Sequence, residues 1–583
     1  MIAAWEVAAV VGGGLGAAGW AWARRKGWDQ RERPWMGRWG LDVALIVAGL
    51  ALNLPGLLGA WAMLSPFGSP MGPDADANFL AAVALERGDL ALYAGDRYPA
   101  YAALVSALAP DASRLAQVGT WLSMGLAVAC ALGAYALGRA LAGRVAGWAG
   151  LVVCLRLPGL ADTGRQFTPY ALVAAADLLA VLSLLALVRG HRVATIPLAV
   201  AAAVVFATDP KQVPVSLALV GLGIVVSLVR SRRSGIIECV PLVAALPLAN
   251  ALVGRAALPI YSLEFITTRV DLGLHVDAAM ATTGWRIGTS LVDLPASLLA
   301  VSTMVQAPAG RGWFAPTALA TLPMELPATS PLWLAALLVL PVVLHLRRRA
   351  AYELVALLPL VIVALPVLHL HFQHRYFLAL VVVLPALVAS AISLAAGPGA
   401  AAGVLIVALL WPGSPWRGVA PGVTAAPPPH AEPWTGVEPD EWARTVDEAA
   451  TALPADAVVL DFAQSRPWVM LAASRPYVRC TTTTDNCRGA LGDAPGTLTA
   501  VLFPGEEVSA AVPAASALAT TGPVRYGPDA LGACWTRVLM RPDNGGVYRW
   551  TCEKRPTQNA PPPRPQPGPA GPPGPPSGPP GPP

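Results

Sequence analysis

From Ile2 to Trp411 the chain repeats one unit: an apolar run close to membrane-crossing length, then a short connection that is either rich in arginine or nearly free of it. A helix needs about 20 apolar residues to cross about 30 Å of hydrocarbon. The runs lie near 2–23, 41–64, 115–138, 145–157, 168–188, 194–207, 213–229, 236–258, 332–346, 354–368, 377–396 and 400–411. Arginine clusters follow the first, third, fifth, seventh and ninth runs: Arg24 to Arg38, Arg139 with Arg144, Arg189 with Arg192, Arg230 to Arg233, and Arg347 to Arg349; the eleventh is followed by a Gly-Pro-Gly turn. Clustered positive charge is retained in the cytoplasm, so the alternation assigns each connection a side. With 55% hydrophobic and 13% charged residues, a soluble globular class is excluded. The expectation is a polytopic α-helical membrane protein of about twelve spans. The net charge of +5 does not indicate nucleic-acid binding, because the basic residues form short clusters beside apolar runs and no continuous stripe.

The first run is not read as a signal peptide, since Arg24, Arg25 and Lys26 follow it and do not precede it. That places its N-terminus outside, and the second run then delivers Asp74 and Asp76 to the outer face. The long connection from Pro259 to Ser330 contains an apolar stretch, Leu291 to Val305, that is too short to span and reads as a re-entrant or interfacial helix. Composition divides the chain into a membrane domain over 1–411, a Pro-rich linker over 412–433, a small extracytoplasmic α/β domain over 434–556 and a disordered Pro/Gly-rich tail over 557–583. In the α/β domain, Asp440 to Leu453 and Trp468 to Ala473 read as helical, and Ala457 to Phe462 and Leu498 to Phe503 as strands. The Gly-Pro-Pro triplets of the tail are too few for a collagen helix and are broken at Ser577.

Cysteine usage follows the same division. Cys130, Cys154 and Cys239 lie in apolar runs and read as packing residues, whereas Cys480, Cys487, Cys534 and Cys552 share the polar C-terminal domain. Two disulfides in an oxidising compartment are expected there; zinc is the competing reading, which the Cys480/Cys487 spacing disfavours.

Candidate chemistry collects in the outer connections. The stretch from Pro73 to Tyr101 sets Asp74 and Asp76 just beyond a span, followed by an amphipathic run (Phe79, Leu80, Val83, Ala84) expected to lie along the membrane surface. Its acids also suit helix caps, and Gly88-Asp89 and Gly95-Asp96 suit turns. Three further groups share that side: Arg165 with Tyr170, Asp209 with Lys211, and the segment His369 to Tyr376. Taken singly, such cations also serve as headgroup anchors and such histidines as helix caps. Together they supply a base and several phosphate-sized cationic anchors. Asp177 falls well inside an apolar run and reads as structural, no matching base being evident at that depth.

Three of these places, in this order and on one side, resemble the GT-C superfamily of integral-membrane glycosyltransferases. They are the acidic outer loop (Asp74-Ala75-Asp76, Gly88, Tyr98-Pro99), the second outer loop (GRQFTPYAL, Gly164 to Leu172) and a late segment (HRYFLALVVVLPAL, His374 to Leu387). The Asp-Ala-Asp here departs from the adjacent acids of many members. The resemblance implies juxtamembrane helices in the first outer loop and transfer of a sugar from a polyprenyl-phosphate donor to a lipid, glycan or protein acceptor on the extracytoplasmic face of the cell membrane. It implies Asp74 as base with Asp76 in reserve, and Tyr98, Arg165, Tyr170, Lys211, His371, His374, Arg375 and Tyr376 as substrate-binding residues. The one cofactor candidate is a divalent cation, Mg or Mn, held by Asp74 and Asp76 if transfer is metal-dependent. An envelope polysaccharide polymerase or ligase, which would not need the acidic loop, and a transporter, which predicts charges at the bilayer midplane, are the alternatives.

Overall fold

Gly119, Ser123, Ala127, Cys130, Ala134 and Gly138 recur at three- to four-residue spacing along one helix, Leu115–Ala142, and all six are buried. Small residues on one helical face let neighbouring helices approach closely where hydrocarbon surrounds them, so this helix becomes the axis of a bundle. The computed structural model describes residues 4–26, 38–55, 57–58, 73–88, 99–157, 160, 163–164, 167–208, 213–230, 232–255, 340, 342–344, 346, 378–411, 447–455, 457–461, 468–479, 498–502, 535–540 and 546–550. In chain order the helices are α1 (Ala4–Arg25), α2 (Arg38–Leu52), α3 (Pro73–Arg87), α4 (Pro99–Leu108), α5 (Leu115–Ala142), α6 (Arg144–Cys154) and α7 (Tyr170–Val188). They continue as α8 (Thr195–Thr208), α9 (Val213–Arg230), α10 (Arg232–Arg255), α11 (Leu378–Ala396) and α12 (Pro398–Leu410).

The molecule is mostly helical, with an exterior suited to hydrocarbon. Val10 on α1, Val229 on α9 and Ile237 and Val240 on α10 stand more than half exposed, an outward apolar surface that water would not tolerate. Among the described residues two segments, Ala112–Ala142 and Tyr170–Val188, are by themselves long and apolar enough to cross a membrane; shorter apolar helices pack with them. The run expected near 145–157 folds as α6, whose 11 residues reach only about 16 Å. Most of the runs expected at 332–346 and 354–368, and the stretch 291–305, lie outside the described residues.

The helix termini sort by charge. At one end Asp42 of α2 accepts from Arg139 Nε and Nη2, both at 2.7 Å, from Tyr135 Oη at 2.7 Å and from Arg144 Nε at 3.2 Å. At the same end Arg189 donates to the Ala140 carbonyl, and Glu238 pairs with Arg230 and Arg192. Arg230 Nη1 also reaches the Leu187 carbonyl at 3.0 Å, tying α9 to the foot of α7. The hairpins of the bundle thus bring their arginines to one end, called here the arginine end; the opposite end carries α3, α4 and the start of α7. Cys130, Cys154 and Cys239 are buried and free, as packing residues should be.

The C-terminal residues form a five-stranded sheet in the order β2-β1-β3-β5-β4. It comprises β1 (Val458–Asp461), β2 (Tyr477–Arg479), β3 (Leu498–Leu502), β4 (Trp535–Met540) and β5 (Gly546–Trp550). The first three are parallel, with Val459 opposite Thr499 and Tyr477; β5 and β4 complete the sheet antiparallel. The run Trp468–Ala473 is a 3-10 helix. Cys480, Cys487, Cys534 and Cys552 lie outside the described residues.

Candidate functional site

The acidic connection folds as α3 for local reasons. Pro73 occupies the first helical position, where its missing N–H costs nothing, and Asp74 and Asp76 stand in the first turn, where the helix dipole favours negative charge. Arg87 ends the last turn, and Gly88 stops the helix at φ 66°. The surface-lying amphipathic helix expected from Phe79, Leu80, Val83 and Ala84 is not what forms. Every residue from Asn78 to Ala84 is buried, and seven consecutive helical residues cover all faces, so this stretch of α3 is enclosed on every side. Three small alanines, Ala81, Ala82 and Ala84, allow that enclosure, because neighbours can close over them where larger side chains would hold them off.

The neighbours are α4, α5 and the 3-10 helix of the C-terminal domain. Arg87 Nη1 donates to the Arg475 carbonyl at 2.9 Å, so the domain is seated on the acid-bearing helix. Arg475 in turn donates through Nη2 to the carbonyls of Ala450 at 2.6 Å and Leu453 at 3.1 Å, which anchors the strand approach to the helix before it.

The second outer connection is fastened to the same place by one aromatic ring. Phe167 is fully buried and meets Phe79 edge-on, ring centroids 5.9 Å apart, and Tyr101 of α4 edge-on at 5.4 Å. Its seat exists because position 119 of α5 has no side chain: a Cβ there would lie 2.1 Å from Phe167 Cε2. Tyr101 shares hydrogen bonds at 2.8 Å with the Gly119 carbonyl and Ser123 Oγ, and Ser123 Oγ reaches the Thr168 carbonyl at 3.2 Å. Burial pushes the Tyr101 phenol above its usual pKa, so it acts as a neutral donor. Sequence reasoning singled out Tyr98 and passed over Tyr101 and Phe167. The available signal was that Phe167 lies within GRQFTPYAL and that Tyr101 closes the stretch begun at Pro73.

Positions 74 and 76 stand about 200° apart around the helix axis. Among the described residues no group of three or more His, Cys, Asp or Glu could hold a metal ion. Tyr170 opens α7 and is buried. Tyr98, Arg165, Lys211, His371, His374, Arg375 and Tyr376 lie outside the described residues, as does Asp209. Described residues flank several of them: Gly164 rests on Ala127, Thr208 ends α8, and α11 begins two residues after Tyr376. Asp177 is buried within α7, with no hydrogen-bond partner on either oxygen.

No protein-family model matches the chain, and no curated protein matches it in sequence. Solved structures do. An apo oligosaccharyltransferase of Archaeoglobus fulgidus is 15% identical over 83% of this chain and 72% of its own, at a TM-score of 0.43. The oligosaccharyltransferase AglB of the same organism, in complex with an inhibitory peptide and a dolichol-phosphate, is 12% identical over 79% and 69%, at 0.42. ArnT from Cupriavidus metallidurans in the apo state is 13% identical over 87% and 98%, at 0.40. These similar structures are GT-C glycosyltransferases.

Proposed function

We propose that this protein is a membrane glycosyltransferase that moves a sugar from a polyprenyl-phosphate donor to a lipid, glycan or protein acceptor outside the cytoplasm. One observation carries the reading. The helix bearing Asp74 and Asp76 is locked through Phe79 and Tyr101 to Phe167, two residues beyond Arg165, at the end of the bundle opposite the arginine cluster. The contact joins the acid-bearing helix to the connection that carries Arg165 in sequence, which supports a reading in which an acid and a cation act together at a bilayer boundary, where a lipid-linked donor presents its phosphate.

In this reading Asp74 takes the proton of the acceptor hydroxyl as that oxygen bonds to the anomeric carbon. The bond from that carbon to the phosphate oxygen breaks, and polyprenyl phosphate leaves with the electron pair. A single displacement inverts the anomeric centre and needs no carboxylate nucleophile. Arg165, Lys211 and Arg375 hold the departing phosphate, Arg375 in the bidentate manner open to guanidinium. Tyr98, Tyr170, His371, His374 and Tyr376 line the donor and acceptor. Asp76, about 200° away around the axis of α3, is the reserve carboxylate. Transfer from a radiolabelled polyprenyl-phosphate sugar in proteoliposomes tests this. Asp74→Asn should lose about 100-fold to 10,000-fold in rate, the usual worth of a positioned base, with Asp76→Asn milder. A correctly inserted Asp74→Asn protein that transfers at near wild-type rate would remove Asp74 from the reaction.

A further inference from the structure

Arg156 lies just past α6 and is partly buried, between the buried Leu155 and Leu157. Of the five N–H donors on its guanidinium, one is used: Nε donates to Asn53 Oδ1 at 3.0 Å. Asn53 is itself 1% exposed and is fixed from the other side, its Nδ2 donating to the Gly49 carbonyl at 2.8 Å. The two helices come close enough for this contact because Gly49 has no side chain; a Cβ there would lie 2.5 Å from Leu151 Cδ2.

The other partly buried arginines of the described residues are answered differently. Arg139 and Arg144 share Asp42, Arg230 has Glu238 and a carbonyl, and Arg475 has three carbonyls. Among the described residues no carboxylate and no carbonyl meets the Arg156 side chain. A partly buried guanidinium held at Nε, with both Nη groups unused and still accessible, is open to an anion that would complete it.

Its depth says what kind of anion. Helical rise carries α6 about 16 Å from Arg144 at the arginine end to Cys154, with Arg156 in the turn just beyond, whereas Tyr170 stands about 28 Å from Arg189 at that same end. Arg156 therefore lies roughly 10 Å below the level at which α7 begins, on the side of the bundle reached from the end that carries α3. A soluble anion has no reason to enter at that depth; a phosphate carried on an isoprenoid chain does.

We infer that Arg156, aimed by Asn53, is a ligand for the phosphate of a polyprenyl-phosphate lipid. This inference rests on the glycosyltransferase reading for the identity of the lipid, and it adds a residue and a depth to that reading. Asn53 is a positioning residue: as a neutral acceptor it fixes Nε and leaves both Nη groups, the bidentate pair, for phosphate oxygens.

The full chain in phosphatidylcholine nanodiscs, titrated with undecaprenyl phosphate, tests the assignment. Arg156→Gln should weaken binding about tenfold or more, the scale of a lost charge-assisted contact. Asn53→Asp is the decisive variant. It strengthens the contact to Arg156 and so preserves any purely structural role, yet it neutralises the cation and should also weaken binding about tenfold. Equal binding by wild type and both variants overturns the assignment while leaving the glycosyltransferase reading intact. A wild-type protein that binds no undecaprenyl phosphate and transfers no sugar overturns both. Equal Arg156-dependent binding of phosphatidylglycerol marks an ordinary headgroup site and likewise overturns the assignment, and competition by inorganic phosphate without the lipid overturns the depth argument.

Discussion

At position 119 a hydrogen atom in place of a side chain makes room for the Phe167 ring, and that ring joins two connections separated by most of a hundred residues. Gly119→Ala would place a methyl 2.1 Å and 2.3 Å from two ring carbons, so Phe167 must withdraw from Phe79 and Tyr101. Overpacking of this kind costs about 1–3 kcal/mol. The expected outcome is a lower thermal midpoint in detergent together with reduced transfer per folded molecule, because the acid and cation connections separate. Tyr101→Phe is the complementary change. It keeps the ring against Phe167 but leaves the Gly119 carbonyl and Ser123 without the phenol, a loss of about 1–3 kcal/mol for a buried site. Transfer per folded molecule should then hold near wild type. Equal losses of activity in both variants would show that the ring contact is not what aligns the site.

Among the elements, α2, α5 and α6 are joined at one end by Asp42, and α2 and α6 are joined again farther along by Asn53 and Arg156. Asp42→Asn leaves Arg139 and Arg144 facing each other across a neutral amide. Because those side chains are 39% and 28% exposed, the cost should be about 1–3 kcal/mol, below the value for a fully buried pair. A depressed thermal midpoint with unchanged donor affinity is the expected result, the network being remote from the site. The order of helices was legible because hydropathy and arginine placement act over whole runs: α7 begins two residues from the boundary read at Thr168 and ends on Val188 as read. Strands β1 and β3 were legible from their β-branched and aliphatic runs, whereas β2, β4 and β5 are short and mix charged with apolar residues. The enclosure of α3 was not legible. Asn78 to Ala84 has too weak a period to say which face is covered, and the cover comes from α5 and from the C-terminal domain, far along the chain. Asn53 and Arg156 stayed hidden for the same reason, their contact spanning 103 residues.

For the whole molecule the distribution of charge sets a direction. Arg24 and Arg25 end α1 at the same end as the Asp42 network, because α1 runs antiparallel against α12, Gly16 facing Gly399 and Gly12 facing Gly403. Insertion retains clustered arginine in the cytoplasm, so the arginine end should face inward, and α3 with the domain seated on it should face outward. Exposed cysteines introduced at Arg25 and Glu448, one at each end, read this directly. With a membrane-impermeant maleimide, peptide mapping should find Glu448→Cys modified in intact cells and Arg25→Cys modified only after the membrane is opened. Native Cys130, Cys154 and Cys239 are buried and should stay silent in both preparations. The reverse pattern would place Asp74 in the cytoplasm, on the wrong side for a donor whose phosphate stands outside. The transferase proposal would then fail as a whole, even with every contact around Phe167 intact, because the location of the chemistry depends on insertion and not on packing.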